Sequence, residues 1–106
     1  MKYRRLKKNG DFQKLFKKGK RVFSSALTVI YSPCQSGTVM GIALSKKHGK
    51  AVMRNRIKRL IRAAFSANMD MLGGNYSLVI MPRVAEEYVY KDIEKSLISC
   101  FKRMER

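Results

Sequence analysis

Acidic residues are scarce in this sequence. Seven Asp and Glu stand against 24 Lys and Arg in 106 residues, a formal net charge of +17 at neutral pH. The seven are Asp11, Asp70, Glu86, Glu87, Asp92, Glu94 and Glu105, placed mostly at predicted helix ends and in the last helix. None falls in the basic middle of the chain, where an autonomous nuclease would need paired acids to hold metal ions. Histidine is nearly absent too: the single His48 excludes a two-histidine acid–base mechanism. With no carboxylate or second histidine nearby in sequence, His48 reads as an ordinary loop residue. The hydroxyls of Ser45 and Ser66 have no base beside them in sequence. Cys34 and Cys100 are isolated, without a CxxC pair, so they suggest free thiols in a reducing compartment rather than zinc or redox chemistry. No apolar run approaches the roughly 20 residues that cross a bilayer. The basic start, Met1 to Lys8, has the charge of a signal peptide but no apolar stretch behind it, so the expected location is the cytoplasm.

What is present is positive charge on a chain that folds. A hydrophobic fraction of 45% and apolar residues at regular spacing mark a globular chain rather than a basic tail. The length suits one domain, residues 1–106. A charge of +17 costs stability through self-repulsion and implies a polyanionic partner. Nucleic acid is the leading candidate. A membrane surface fits less well, because the cations are not confined to one amphipathic segment. Glycines around Lys46-Lys47-His48-Gly49-Lys50 lack the spacing of a phosphate-binding Walker loop, so no nucleotide or other small-molecule cofactor is expected.

The charge concentrates in Lys50 to Phe65. On a helix, Met53, Ile57, Leu60, Ile61, Ala64 and Phe65 form one apolar stripe. Arg54, Asn55, Arg56, Lys58, Arg59 and Arg62 occupy the remaining circumference. A solvated helix face normally interleaves Glu or Asp one turn away, because like charges at that spacing repel. No acid interrupts this run, which predicts an external polyanion against it.

Around this helix the spacing predicts five further elements. Asn9 is a plausible N-cap for a first helix carrying Phe12, Leu15 and Phe16, with Asp11 in its first turn and Gly19 as its stop. Phe12 and Phe16 have two readings: core anchors, or partly exposed rings among lysines that stack on unpaired bases. Val22 to Ser32 has strand composition, with Leu27, Val29 and Tyr31 on one face and Thr28 and Ile30 on the other. Thr38 to Ser45 reads as its hairpin partner, and Gly41 as a bulge or a site of close approach. After Gly73-Gly74, the apolar run Tyr76 to Met81 reads as a central strand ended by Pro82. A last helix buries Tyr90, Ile93, Leu97, Cys100, Phe101 and Met104, with Asp92, Glu94, Lys95 and Lys102 solvated around it. The fold class is α+β: a small mixed sheet packed with three helices, in the order αββ(β)αβα. The general rule predicts a right-handed crossover through the basic helix.

Ser45-Lys46-Lys47, Ala51-Val52, Arg54-Asn55-Arg56, Ile57-Lys58-Arg59 and Arg62 together resemble the signature of the protein subunit of bacterial ribonuclease P, whose core is the RNR motif. The similarity extends to Arg5-Leu6-Lys7-Lys8-Asn9 and Asp11-Phe12 through Phe16. The resemblance implies a left-handed crossover in place of the right-handed one. It also implies an RNA-binding subunit of a ribonucleoprotein endonuclease, in which the catalytic RNA subunit uses magnesium ions to remove the 5′ leader of precursor tRNA. Carried over, Phe12, Phe16, Thr28, Ile30, Lys58 and Arg62 would form the leader cleft. Lys46, Lys47, Arg54, Asn55, Arg56 and Arg59 would hold the RNA subunit. Where many relatives place an aromatic on the strand face of the cleft this chain has Ile30, and where they often place Glu after the last motif arginine it has Ala63. A stand-alone or ribosome-associated RNA-binding protein is the rival reading that charge and size alone would suit.

Overall fold

The protein is seen here in a computed structural model that describes residues 3–104; Met1 and Lys2 of the basic leader and Glu105 among the carboxylates lie outside the described residues. In chain order the elements are β1 (Arg4–Arg5), α1 (Asn9–Lys18), β2 (Lys20–Phe23), β3 (Leu27–Pro33), β4 (Val39–Ile42), α2 (Ala51–Asn68), β5 (Tyr76–Pro82) and α3 (Tyr90–Arg103). They form one mixed sheet with strand order β1-β4-β5-β3-β2. The strand with the most continuous apolar sequence, β5, takes the middle, where helices cover both faces.

Leu27, Val29, Tyr31, Leu78 and Ile80 point to one face and pack against Ile57, Ile61 and Phe65 of α2 and Ile93, Leu97 and Phe101 of α3. Ile30 and Val79 point to the other face, beneath Leu15 of α1. Phe65 anchors the larger core, with the rings of Tyr3 and Phe101 edge-on at 4.9 and 5.8 Å. A second tie joins the helices: Glu94 of α3 accepts hydrogen bonds from Asn68 Nδ2 and Tyr90 Oη, both 3.0 Å. Glu94 is therefore a half-buried acceptor, not the freely solvated residue its spacing suggests.

Three expectations are corrected. The stretch Val22 to Ser32 is two antiparallel strands, β2 and β3, turning at Ser24–Ala26. The strand after the loop does not return against β3. Instead β5 lies between them, antiparallel to β3 and parallel to β4, so local pairing gives way to burial of the most apolar strand. At α1, Lys8 holds the N-cap position and Asn9 is already helical, with no side-chain cap. Gly19 does end the helix, but in an extended conformation; glycine is needed because a Cβ would meet Ile30 Cγ2 at 2.6 Å.

The crossover through α2 is left-handed. Ala43 N–H donates to Ile80 O at 3.0 Å, so Ile80 directs its backbone polar groups toward β4. Its side chain lies in the core with Ile57 and Ile61, facing α2. An L-residue whose side chain points at the viewer, on a strand running upward, directs its N–H and C=O to the right. Seen from α2, β4 is thus on the right, and the chain passes leftward through a helix in front. That is the exception to the usual rule, as the resemblance implies.

Candidate nucleic-acid interface

The stripe on α2 divides the helix as its sequence predicts. Ile57, Ile61, Ala64 and Phe65 are buried, while Asn55, Arg56 and Arg59 are exposed. Arg54, Lys58 and Arg62 are half-buried at the margins. Arg54 is unusual among them: its Nε is buried and has no hydrogen-bond partner. A polar N–H removed from water without an acceptor costs about 1–3 kcal/mol, more in a charged group. Arg54 borders a cavity of about 300 Å³ with Ile42, Leu44, Asn55 and Lys58.

Lys46 and Lys47 project from a single 3₁₀ turn just before α2, and that turn is held from both ends. Ser45 Oγ accepts the Lys47 N–H at 3.3 Å, and His48 Nδ1 accepts the Ser45 N–H at 3.1 Å. His48 Nε2 then donates to Pro82 O at 2.7 Å, tying the turn to the end of β5. His48 is therefore a clasp for the two lysines rather than an ordinary loop residue. Its spacing from Ser45 is that of a reciprocal capping box, a signal readable in the sequence.

On the other face, α1 lies across the sheet row Gly41–Val79–Ile30–Arg21. Phe12 and Phe16 are half-buried on one flank of the helix, so both readings hold in part: each ring packs on the smaller core and keeps an open side. Thr28 is 9% exposed and Ile30 is wholly buried, so Ile30 is packing beneath the floor with no surface to offer. Tyr31 faces the opposite core, edge-on to Tyr76 at 5.8 Å. Where β1 ends, the rim of β4 is open, and there the structure brings Phe12 together with Lys58 and Arg62. The three line one cavity of about 310 Å³ with Arg5, Lys7 and Gly41. Lys46 and Lys47 do not line it.

Among the described residues, no three His, Cys, Asp or Glu side chains are grouped to hold a metal ion. No helix among them is long and apolar enough to cross a membrane.

A family model described as Ribonuclease P matches residues 1–105. The chain is 40% identical over 102 residues to the ribonuclease P protein component of Clostridioides difficile, covering 92% of this chain and 89% of that one. It is 39% identical over 102 residues to the same component from Bacillus cereus strain B4264, covering 93% and 89%. Among solved structures, the RNase P protein from Thermotoga maritima superposes with a TM-score of 0.86 at 28% identity, covering 96% of this chain and 98% of that one. The Staphylococcus aureus RNase P protein gives 0.81 at 34% identity, covering 92% of each.

Proposed function

The chain belongs to the ribonuclease P protein family, and from that premise we propose how its basic surfaces divide the work. As the accessory protein subunit of the ribonuclease P holoenzyme, it has the ribonuclease P RNA and precursor tRNA as its general partners. In our reading, the exposed side of α2 and the preceding turn dock on the RNA subunit. Lys46, Lys47, Arg54, Asn55, Arg56 and Arg59 supply this contact. The buried, unpartnered Arg54 Nε supports the assignment, since an RNA oxygen would supply its missing acceptor.

The cleft on the α1 face receives the single-stranded 5′ leader. One observation carries this: Phe12, from one face of the sheet, shares a cavity with Lys58 and Arg62, from the helix on the other. A ring to stack on a base and cations to meet its phosphates are what an unpaired strand requires. Phe16 extends the ring surface and Thr28 lies on the floor, with Ile30 packed below. The protein positions substrate, and hydrolysis belongs to magnesium ions held by the RNA subunit. The work is done in the cytoplasm.

Turnover of precursor tRNA with and without the RNA subunit tests the division of labour. No cleavage by protein alone, with stimulation of the RNA, is expected. In the holoenzyme, Phe16→Ala should weaken precursor tRNA by about 1–3 kcal/mol and mature tRNA hardly at all. Equal weakening of both would refute the leader assignment.

A further inference from the structure

Phe23 is the one aromatic residue among the described residues that is more than half exposed, at 57% of its surface. Its neighbour Val22 points into the larger core, so Phe23 stands on the α1 face of the sheet. Strand register places it directly opposite Thr28, and Thr28 opposite Met81. Continuing across β5, the row ends at Ala43, whose N–H bonds Ile80 O. This row lies beside the one that α1 covers, on the flank that carries Phe12 and Phe16. Phe12, Phe16, Ala43 and Met81 all border the smaller core from that side.

We propose that Phe23 is a second stacking subsite of the leader cleft, taking an unpaired base further along the strand than the base held near Phe12. The proposal rests on the leader-cleft reading and extends it across the sheet. From Ala43 to Phe23 the row crosses three strand spacings, about 14 Å. That is too far for one base to serve both ends, so Phe23 defines a separate contact.

Three features favour an unpaired nucleotide. First, the ring stands on the same sheet face as the cleft, on the strand beside Thr28 and diagonal to the buried Ile30, and it is exposed where Ile30 is not. Second, the backbone that carries the ring is held in place. Arg103 Nη2 donates to Phe23 O, and Arg21 Nη2 donates to Phe16 O at 3.2 Å, which fixes β2 both to α3 and to the end of α1. Third, the charged groups on these ties are guanidinium, and the row from Phe23 to Ala43 contains no carboxylate. An apolar ring bordered by cations suits a base with its phosphates better than an apolar peptide.

The test uses holoenzyme at one salt concentration, with RNA subunit in excess and precursor tRNAs whose leaders are lengthened one nucleotide at a time. Phe23→Leu keeps apolar bulk and removes the π face; Phe23→Trp keeps the face; Phe16→Ala is the control. With the shortest leaders, Phe23→Leu should bind like the unmodified protein. Beyond a threshold length it should lose roughly 5- to 150-fold in affinity, the equivalent of one base stack. Phe23→Trp should lose nothing, and the thermal melt of both variants should be unchanged. If Phe16→Ala loses leader-dependent affinity and Phe23→Leu does not, the Phe23 subsite is wrong and the cleft stands. If neither loses it, the cleft reading itself fails. Equal loss with mature tRNA, or weaker assembly with the RNA subunit, would also overturn the subsite by placing Phe23 on another interface.

Discussion

The ring of Phe12 fills the space that a side chain at Gly41 would need. A Cβ at position 41 would lie 2.6 Å from Phe12 Cζ and 2.8 Å from Cε1, with Leu6 Cβ at 2.9 Å. Glycine weakens a strand interior, so its presence in β4 has a steric reason. The missing side chain lets an aromatic from α1 reach the rim of the sheet, where Lys58 and Arg62 arrive from the other side.

Gly41→Ala should therefore act on function through Phe12. Forcing a methyl under the ring costs about 1–3 kcal/mol of stability or displaces the ring outward. Either way, affinity for precursor tRNA should fall while mature tRNA is unaffected. The double variant Gly41→Ala/Phe12→Ala should bind no worse than Phe12→Ala alone, because the clash with the ring has gone and only the 2.9 Å approach to Leu6 Cβ is left to relax. An additive loss in that cycle would separate Gly41 from the cleft.

Assembly with the RNA subunit should weaken steeply with salt. The exposed cations of α2 and the Lys46–Lys47 turn replace condensed counterions. If about six phosphates are neutralised, log K should fall against log salt with a slope of about −4 to −5. A titration giving a slope near −1 would refute a surface of many contacts.

Much of this was legible in the sequence, where the pattern had a period. The apolar stripe of α2 and the alternation Leu27–Tyr31 fix which residues face inward, and the structure places them so. Strand order was less readable. Whether β4 lies beside β3 depends on where β5 inserts, a long-range preference that no local spacing encodes. The two-residue β1 is too short to leave a pattern. Crossover hand came from family resemblance, because the physical rule points the other way. At the site, the Phe12–Lys58–Arg62 grouping joins residues from opposite faces across a strand edge. Lys58 and Arg62 are one helical turn apart, but no helical or strand period could have linked Phe12 to them.

The two cysteines should differ sharply in reactivity. Cys34 is partly exposed, and its thiolate is favoured by hydrogen bonds from Ser36 and Ser77, with a smaller contribution from Arg4. Cys100 is fully buried, and burial pushes its thiol up despite the nearby Arg103. Iodoacetamide should label Cys34 in the native protein and reach Cys100 only on unfolding, as mass spectrometry of timed samples would show. Linkage gives a matching pH effect. With the folded Cys100 thiol raised, its contribution is fully present below the unfolded thiol's range and is lost as pH rises from there through the raised folded value. Replacing Cys100 by Ala should flatten that alkaline decline, although the cavity left behind will lower stability at every pH. Equal labelling of the two thiols in native protein would contradict their placement.

Arg54 and Arg56 are neighbours in the motif but should respond differently to substitution. Arg56 is exposed, and alanine is at least as good a helix former. Arg56→Ala should thus leave the melting temperature nearly unchanged, within about 0.5 kcal/mol, while weakening assembly with the RNA subunit. Arg54 carries a buried N–H without an acceptor, so the free protein bears a cost that an acceptor on a partner would relieve. Arg54→Met keeps the apolar stem as far as the Nε position and removes the unsatisfied group. It should raise the stability of the free protein by about 1 kcal/mol and still reduce affinity for the RNA subunit. Opposite signs in the two measurements are the signature of a residue strained toward its ligand. If Arg54→Met destabilises the free protein, the guanidinium is part of the fold, and its assignment to the RNA surface loses its support.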